Sequence, residues 1–164
     1  DIKKLSHISK KHLILKSENE LQELFFEYIK LYKTVNLSET CIERLRKFLP
    51  LVFERCSSLG EIFESASFLF KNEDAETEKS TVSLDDKSKS IVEDFVSSIK
   101  STDLTWKDEF LEEFINSYCE KNNLKFRDIG VPLRILITGS TSSPSIVHIM
   151  EILGKTETLH RLKI

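Results

Sequence analysis

Apolar residues recur along most of the chain at intervals of three and four, the spacing that places side chains on one face of an α-helix. The clearest apolar stripe consists of Leu21, Leu24, Phe25, Tyr28, Ile29 and Tyr32. Ser17, followed by Glu20, predicts that this helix begins with a capping box. Four glycines and three prolines in 164 residues leave few places for tight turns. The pattern therefore predicts an all-α fold.

A second helix is expected after Ser38, a residue type that caps helix N-termini, with apolar positions continuing through residues 42–53. Pro50 lies inside this pattern. Because proline lacks a backbone N–H and its ring crowds the preceding turn, Pro50 predicts a kink or break near Lys47. A shorter helix with an apolar end is expected over residues 59–70.

The hydrophobic pattern is lost between residues 71 and 89, where Asp, Glu, Ser, Thr and Lys dominate. Such a stretch is the best candidate for a boundary between domains. We place the division near residue 80, so that the chain forms two packed helical subdomains, residues 1–80 and 81–164.

Periodicity resumes at Ile91, and Thr105 with Asp108 resembles a capping box that opens the next helix. Asn122 and Asn123 are expected to end that helix, since asparagine tolerates the left-handed conformation found at helix C-termini.

The segment 126–138 is ambiguous, because its apolar run 135–137 suits either a helix or a buried strand. The low glycine content and the absence of a pairing strand favour a helix. Pro144 after Ser143 predicts the first turn of a further helix, which Gly154 is expected to end before a last short helix.

Net charge is −3, and it is unevenly distributed along the chain. Residues 1–16 hold five Lys and one Asp, residues 17–120 sum to −11, and residues 121–164 sum to +4. A phosphate-binding protein needs a local positive surface rather than a basic total, so this distribution permits RNA binding. Composition alone favours the simpler reading that these charges are solvated helix faces.

Other functional classes find little support. The longest apolar runs fall far short of the roughly 20 residues of a membrane span. The three cysteines form no close pair, which favours buried thiols in a reducing compartment over disulfides. His7 and His12 are five residues apart and do not share a helical face, so we expect no metal site.

No catalytic residue is expected either. The chain has no glycine-rich phosphate loop, and its acidic pairs, such as Asp85 with Asp86, have the character of surface residues. It begins at Asp1 with no initiator Met and no secretory signal, and we expect it to be a piece of a longer protein.

The last part of the chain carries the most specific motifs: Pro132-Leu133-Arg134, an apolar run to Thr138-Gly139, Ser143-Pro144, Leu153-Gly154-Lys155 and Arg161-Leu162. In this order and spacing they resemble the C-terminal end of bacterial-type glutamyl-tRNA synthetases, which are glutamate–tRNA ligases. The opening Asp1-Ile2-Lys3-Lys4-Leu5 resembles the segment Asp-x-x-Lys-Leu that starts the first anticodon-binding domain of that family.

The resemblance implies five anticodon-binding residues. Arg55 matches an arginine that contacts an anticodon base, and Arg134 matches one at the anticodon-binding surface. Ser143, Pro144 and Ile146 match a Thr/Ser-Pro-Gly-Leu turn near the unstacked bases, although a serine replaces its glycine here. Without the family, Arg55 reads as an exposed arginine at a helix end, and Arg134 as a structural arginine tied to a nearby carboxylate.

The resemblance also implies a function. The full-length enzyme would be a class I synthetase that forms glutamyl-adenylate from glutamate and ATP, with Mg, and transfers glutamate to tRNA(Glu). The His-x-Gly-His and Lys-Met-Ser-Lys-Ser type motifs of its catalytic domain do not occur here. We therefore expect a fragment without the catalytic domain, inactive alone and without a cofactor.

We expect this fragment to bind the anticodon stem-loop of tRNA(Glu) and to be a cytoplasmic monomer with no membrane contact. The alternative is a non-catalytic helical protein–protein interaction module. That module would show no salt-dependent RNA binding and would be indifferent to Arg134→Ala.

Overall fold

A computed structural model describes residues 16–70 and 83–164. These residues form seven α-helices, a short 3₁₀ turn at Ser67–Leu69 and no strand, which confirms the all-α prediction. The helices are α1 Glu18–Tyr32, α2 Glu39–Val52, α3 Leu59–Ala66, α4 Asp86–Ser101, α5 Asp108–Lys121, α6 Phe126–Thr138 and α7 Ile146–Arg161. The basic N-terminal segment with His7 and His12, and most of the predicted linker, lie outside the described residues.

The chain divides into two compact units, residues 1–74 and 75–164. Helices α1 to α3 belong to the first unit, and α4 to α7 to the second. The boundary predicted near residue 80 falls outside the described residues, so the ranges 1–80 and 81–164 stay a prediction.

In the first unit, residues next to the helix starts in sequence cap α1 and α2. Ser17 and Glu20 form the predicted capping box of α1, and Ser38 caps α2 by accepting from the Cys41 N–H. Side chains from all three helices are fully buried together, namely Phe25, Ile29, Leu45, Phe48, Leu49, Leu59 and Ile62.

Pro50 does not break α2 near Lys47, since the helix runs on to Val52; the predicted break is wrong, and a kink there stays a prediction. A proline at position 50 leaves the carbonyl of Arg46 without its usual helical donor. The side chain of Gln22, buried on α1, donates to that carbonyl at 3.3 Å and accepts from the Arg46 guanidinium at 3.2 Å. A residue on a neighbouring helix thus compensates for the missing N–H.

In the second unit α4 packs against α6, and α7 packs against both α5 and α6. The fully buried residues include Val92, Phe95, Ile99, Leu111, Ile115, Ile129, Leu133, Ile149 and Met150. The predicted stop of α5 is confirmed. Asn123 is left-handed with φ 53°, and the N–H groups of Leu124 and Asn123 bond to Cys119 and Glu120 carbonyls, a Schellman motif.

The capping box predicted for Thr105 and Asp108 is wrong. Helix α5 begins at Asp108 after Lys107, whose side chain caps no backbone group. The carboxylate of Glu151, on α7, accepts from the Asp108 N–H at 2.8 Å and from the Lys107 ammonium at 2.9 Å. A distant acid therefore takes the capping role that a local side chain was expected to fill.

Segment 126–138 is helical as predicted, and its C-terminal residue is followed by Gly139 in the left-handed conformation, φ 75°. Pro144, predicted to open the next helix, lies two residues before it: α7 starts at Ile146 with Ser145 as N-cap. Pro144 and Ile149, both buried, occupy the two positions of a hydrophobic staple.

The predicted stop at Gly154 is confirmed as a break inside α7, where the backbone takes φ 80° and ψ 167°, and a short helical segment follows. The Met150 carbonyl, one turn before this break, accepts from the Trp106 indole N–H at 2.7 Å and from the Thr158 hydroxyl at 3.3 Å.

Candidate nucleic-acid interface

Arg134 lies in the middle of α6 and is half-buried. Its Nε donates a hydrogen bond of 2.7 Å to the Oγ of Ser143, in the loop that follows the helix. Two residues predicted separately for the site are thus in direct contact. The bond fixes the plane of the guanidinium against the loop.

The loop, residues 139–145, connects α6 to α7 and is held by its own hydroxyl groups. The Thr138 hydroxyl donates to the Arg134 carbonyl at 2.8 Å and accepts from the Ser140 N–H at 3.2 Å. The Ser140 hydroxyl in turn donates to the Ser142 carbonyl at 3.0 Å. Residues 139–142 are exposed. The loop therefore presents polar groups to solvent in an ordered arrangement.

Ser143 links the arginine to the start of α7. Its hydroxyl accepts from Arg134 and donates to the carbonyl of Pro144 at 2.9 Å. Pro144 is buried, and the side chain of Ile146 is 1% exposed. In this structure these two predicted site residues anchor the loop to the core, whereas Arg134 and Ser143 reach its surface.

Arg161, on α7, stabilises the C-terminal end of α6, which precedes the loop. Its Nη1 donates to the Ile137 carbonyl at the end of α6, at 2.9 Å, and its Nε donates to Glu157 at 2.7 Å. The side chains of Arg161 and Glu157 are 13% and 8% exposed, so the ion pair is largely buried. The sequence analysis did not assign this role, although the four-residue spacing of Glu157 and Arg161 is a recognisable signal for a helical ion pair.

Arg55 lies in the first unit, in the turn between α2 and α3, and is exposed. Its backbone N–H donates to the Val52 carbonyl at 3.0 Å. In the part of the chain that the structure describes, its guanidinium has no hydrogen bond or ion pair. Arg55 and Arg134 belong to different units.

A second polar cluster joins α5 to α7 in the second unit. His148 Nε2 lies 2.8 Å from an Asp108 carboxylate oxygen. The Glu109 backbone N–H, together with His148, holds the pKa of Asp108 below its usual range, and the Glu151 carboxylate raises the pKa of Lys107. The contacts of this cluster explain how the start of α5 is fixed.

The three thiols are buried, and burial raises the pKa of Cys41, Cys56 and Cys119. Residues 16–70 and 83–164 contain no group of three or more His, Cys, Asp or Glu side chains placed to hold a metal ion. Within the same ranges no helix is both long and apolar enough to cross a membrane.

Known proteins similar to this chain agree on one family. The family described as "Anticodon binding domain" matches residues 20–164. "Glutamate--tRNA ligase 1" of Bartonella tribocorum is 31% identical over 171 residues, covering 99% of this chain and 35% of the relative. "Glutamate--tRNA ligase" of Nitrosomonas europaea is 29% identical over 160 residues, covering 98% and 34%.

A solved structure of a glutamate tRNA ligase from Elizabethkingia meningosepticum superposes with a TM-score of 0.72 at 23% identity. It covers 94% of this chain and 30% of the solved chain, and it shows that the fold is shared. The chain thus spans about a third of the length of the curated relatives it matches. Since the family match extends over both helical units, including Arg55, Arg134 and the loop 139–145, this chain belongs to the anticodon-binding domain family.

Proposed function

We propose that this chain is the anticodon-binding part of a glutamate–tRNA ligase and that it binds the anticodon stem-loop of tRNA(Glu). The family match and the names of the relatives support the assignment. Within the protein, the hydrogen bond between Arg134 and Ser143 is the observation that supports this assignment most directly. That contact joins an arginine and a loop serine that the resemblance assigned to the same site.

The chemistry of the site suits an unstacked RNA base. A guanidinium is planar and offers several donors, so it can bond to a base edge or stack on a base face. Ser143 restricts the rotation of the Arg134 side chain, so less conformational entropy is lost when RNA binds. The exposed hydroxyls of loop 139–142 and its backbone groups supply further hydrogen bonds.

Arg55 is proposed as a second base contact, made by the other unit. Each good base contact is worth about 1–3 kcal/mol of discrimination against a wrong base. Contacts to phosphates add affinity that depends on salt and not on sequence. The burial of Pro144 and Ile146 supports a role in shaping the loop rather than in touching RNA through their side chains.

We further propose that another part of the intact ligase activates glutamate with ATP and Mg and transfers it to the tRNA. This chain covers 35% of the Bartonella tribocorum relative, which leaves room for such a part. A cytoplasmic location and a monomeric state complete the proposal.

The test is equilibrium binding of a tRNA(Glu) transcript and of the same transcript with its anticodon replaced, each at two salt concentrations. We expect affinity that falls with salt and is weaker for the altered anticodon. A wild-type chain that binds both transcripts equally contradicts anticodon recognition. A chain that binds neither transcript at low salt contradicts the proposal and favours the protein–protein interaction module.

A further inference from the structure

One face of α6 extends the surface around Arg134 towards the start of the helix. Arg127, Val131, Arg134 and Thr138 follow each other at intervals of four, three and four, which aligns them on a single stripe. Arg127 and Val131 are exposed, and Arg134 and Thr138 are half-exposed. Seven residues of helix separate the two arginines, roughly 10 Å along the axis.

The surface at the start of α6 is basic. Lys125 and Arg127 are both exposed, and within the described ranges neither side-chain cation forms an ion pair. The nearest acid in sequence, Asp128, uses its carboxylate to accept from the Lys125 backbone N–H at 2.8 Å. The two cations are therefore available to an anionic ligand.

Exposed apolar groups flank these cations. The ring of Phe126 lies across Gly130, where an added Cβ would stand 3.0 Å from a ring carbon, and Phe126 is 39% exposed. Val131 is 38% exposed on the same helix. Cations next to an exposed ring are typical of surfaces that hold single-stranded nucleic acid, where phosphates meet the charges and bases or sugars meet the ring.

We infer that a patch at the start of α6, consisting of Lys125, Phe126, Arg127 and Val131, is a second RNA contact that continues the Arg134 site along the helix. Arg127 and Lys125 bind backbone phosphates, and Phe126 covers a base or ribose. Phosphate contacts fix the register of the RNA without reading its sequence. The patch therefore positions the anticodon loop, while Arg134 discriminates between bases. This inference rests on the proposed function.

Salt dependence distinguishes the two roles. For Arg127→Gln we expect roughly fivefold weaker binding of the tRNA(Glu) transcript at about 0.1 M salt and a log-affinity against log-salt slope smaller by about 0.7–0.9. The ratio of affinities for the original and replaced anticodons should not change. Arg127→Lys keeps the charge and should restore the slope. Phe126→Ala should lower affinity with no change in slope.

Lys100→Gln is the matched control, because Lys100 is an exposed cation in the same unit, on α4. If Arg127→Gln and Lys100→Gln weaken binding equally, the effect is one of net charge and the inference is wrong. A change in the anticodon ratio for Arg127→Gln also contradicts it. A wild-type chain that binds no RNA overturns the proposed function and this inference together.

Discussion

The two arginines proposed to contact the anticodon occupy contrasting surroundings. Arg134 is half-buried in α6 and bonded to Ser143, whereas Arg55 is exposed in a turn with no side-chain partner in the described residues. Ordering a long side chain costs up to about 2 kcal/mol of conformational entropy. For Arg134 part of that cost is met on folding, but Arg55 must meet it when RNA binds. The Arg134 site is thus preorganised, and the Arg55 site is adaptable.

The largest expected effect is a loss of folding stability when Arg161, which holds the end of α6 beside the Arg134 site, is replaced. Arg161→Ala removes the partner of the buried Glu157 carboxylate and the donor to the end of α6, and should cost about 3–5 kcal/mol of unfolding free energy. Urea unfolding followed by fluorescence of Trp106, the single tryptophan, measures it in the same unit. The exposed control Arg127→Ala should stay within about 0.5 kcal/mol of wild type. Equal losses for the two variants would refute a structural role for Arg161.

The contact between Arg134 and Ser143 should appear as an energetic coupling. In a double-mutant cycle for tRNA(Glu) binding with Arg134→Ala and Ser143→Ala, we expect a coupling of about 1–2 kcal/mol, since the bond involves a charged donor. The matched pair Arg55→Ala and Ser57→Ala should be additive, because no bond joins those side chains in the described structure. Additivity at the first pair, or equal coupling at the second, removes the contrast between the sites.

The folding stability of the second unit should also depend on alkaline pH. The Tyr118 hydroxyl donates to the Asp94 carboxylate at 2.7 Å, and its oxygen lies 3.2 Å from the Ile91 carbonyl oxygen, which ties α5 to α4. Burial, with the adjacent Asp94 carboxylate, raises the pKa of Tyr118 well above its usual value.

Because the folded pKa is the higher one, this stabilisation is complete below the unfolded pKa of about 10 and is lost as pH rises through the folded value. Tyr118→Phe should cost about 1 kcal/mol at neutral pH, and the cost should shrink at alkaline pH. Urea unfolding at several pH values measures it. A cost that grows with pH would contradict the assignment.

The adaptable site has its own reporter in Cys56, next to Arg55. The Cys56 thiol is buried and its pKa is raised. In variants that keep either Cys56 or Cys119 as the single cysteine, the thiol should therefore react slowly with Ellman's reagent unless local unfolding exposes it. Bound tRNA(Glu) should slow Cys56 further and leave Cys119, on α5, unaffected. If tRNA slows neither thiol, Arg55 does not contact RNA; if it slows both equally, the protection is global.

The helix ends that were predicted correctly have a local physical cause. The starts of α1 and α2 follow from Ser17 and Ser38, and the end of α5 follows from Asn123, because each residue acts on backbone within a few positions. The predictions that were wrong concern positions where a residue distant in sequence contacts the backbone. Gln22 donates to the carbonyl that Pro50 leaves without a donor, and Glu151 caps the start of α5.

The candidate site shows the same division. Motifs identified Arg134 and Ser143, yet the bond between them depends on how the loop folds back on α6. The capping of α6 by Arg161 depends on the packing of α7 and carried no signal beyond the spacing to Glu157. The burial of Ile146 likewise became visible only once the helices were in place.

The most direct test of the account is to follow backbone amide and arginine Nε–H resonances by NMR while an isolated anticodon stem-loop of tRNA(Glu) is added. We expect the largest shifts at Arg134 Nε–H and at amides of loop 139–145, with smaller shifts at Arg127 and Arg55. An RNA with a replaced anticodon should leave the shifts at Arg127 and lose those at Arg134. Shifts confined to other surfaces, with Arg134 and the loop unchanged at saturation, would contradict the claim that this loop reads the anticodon.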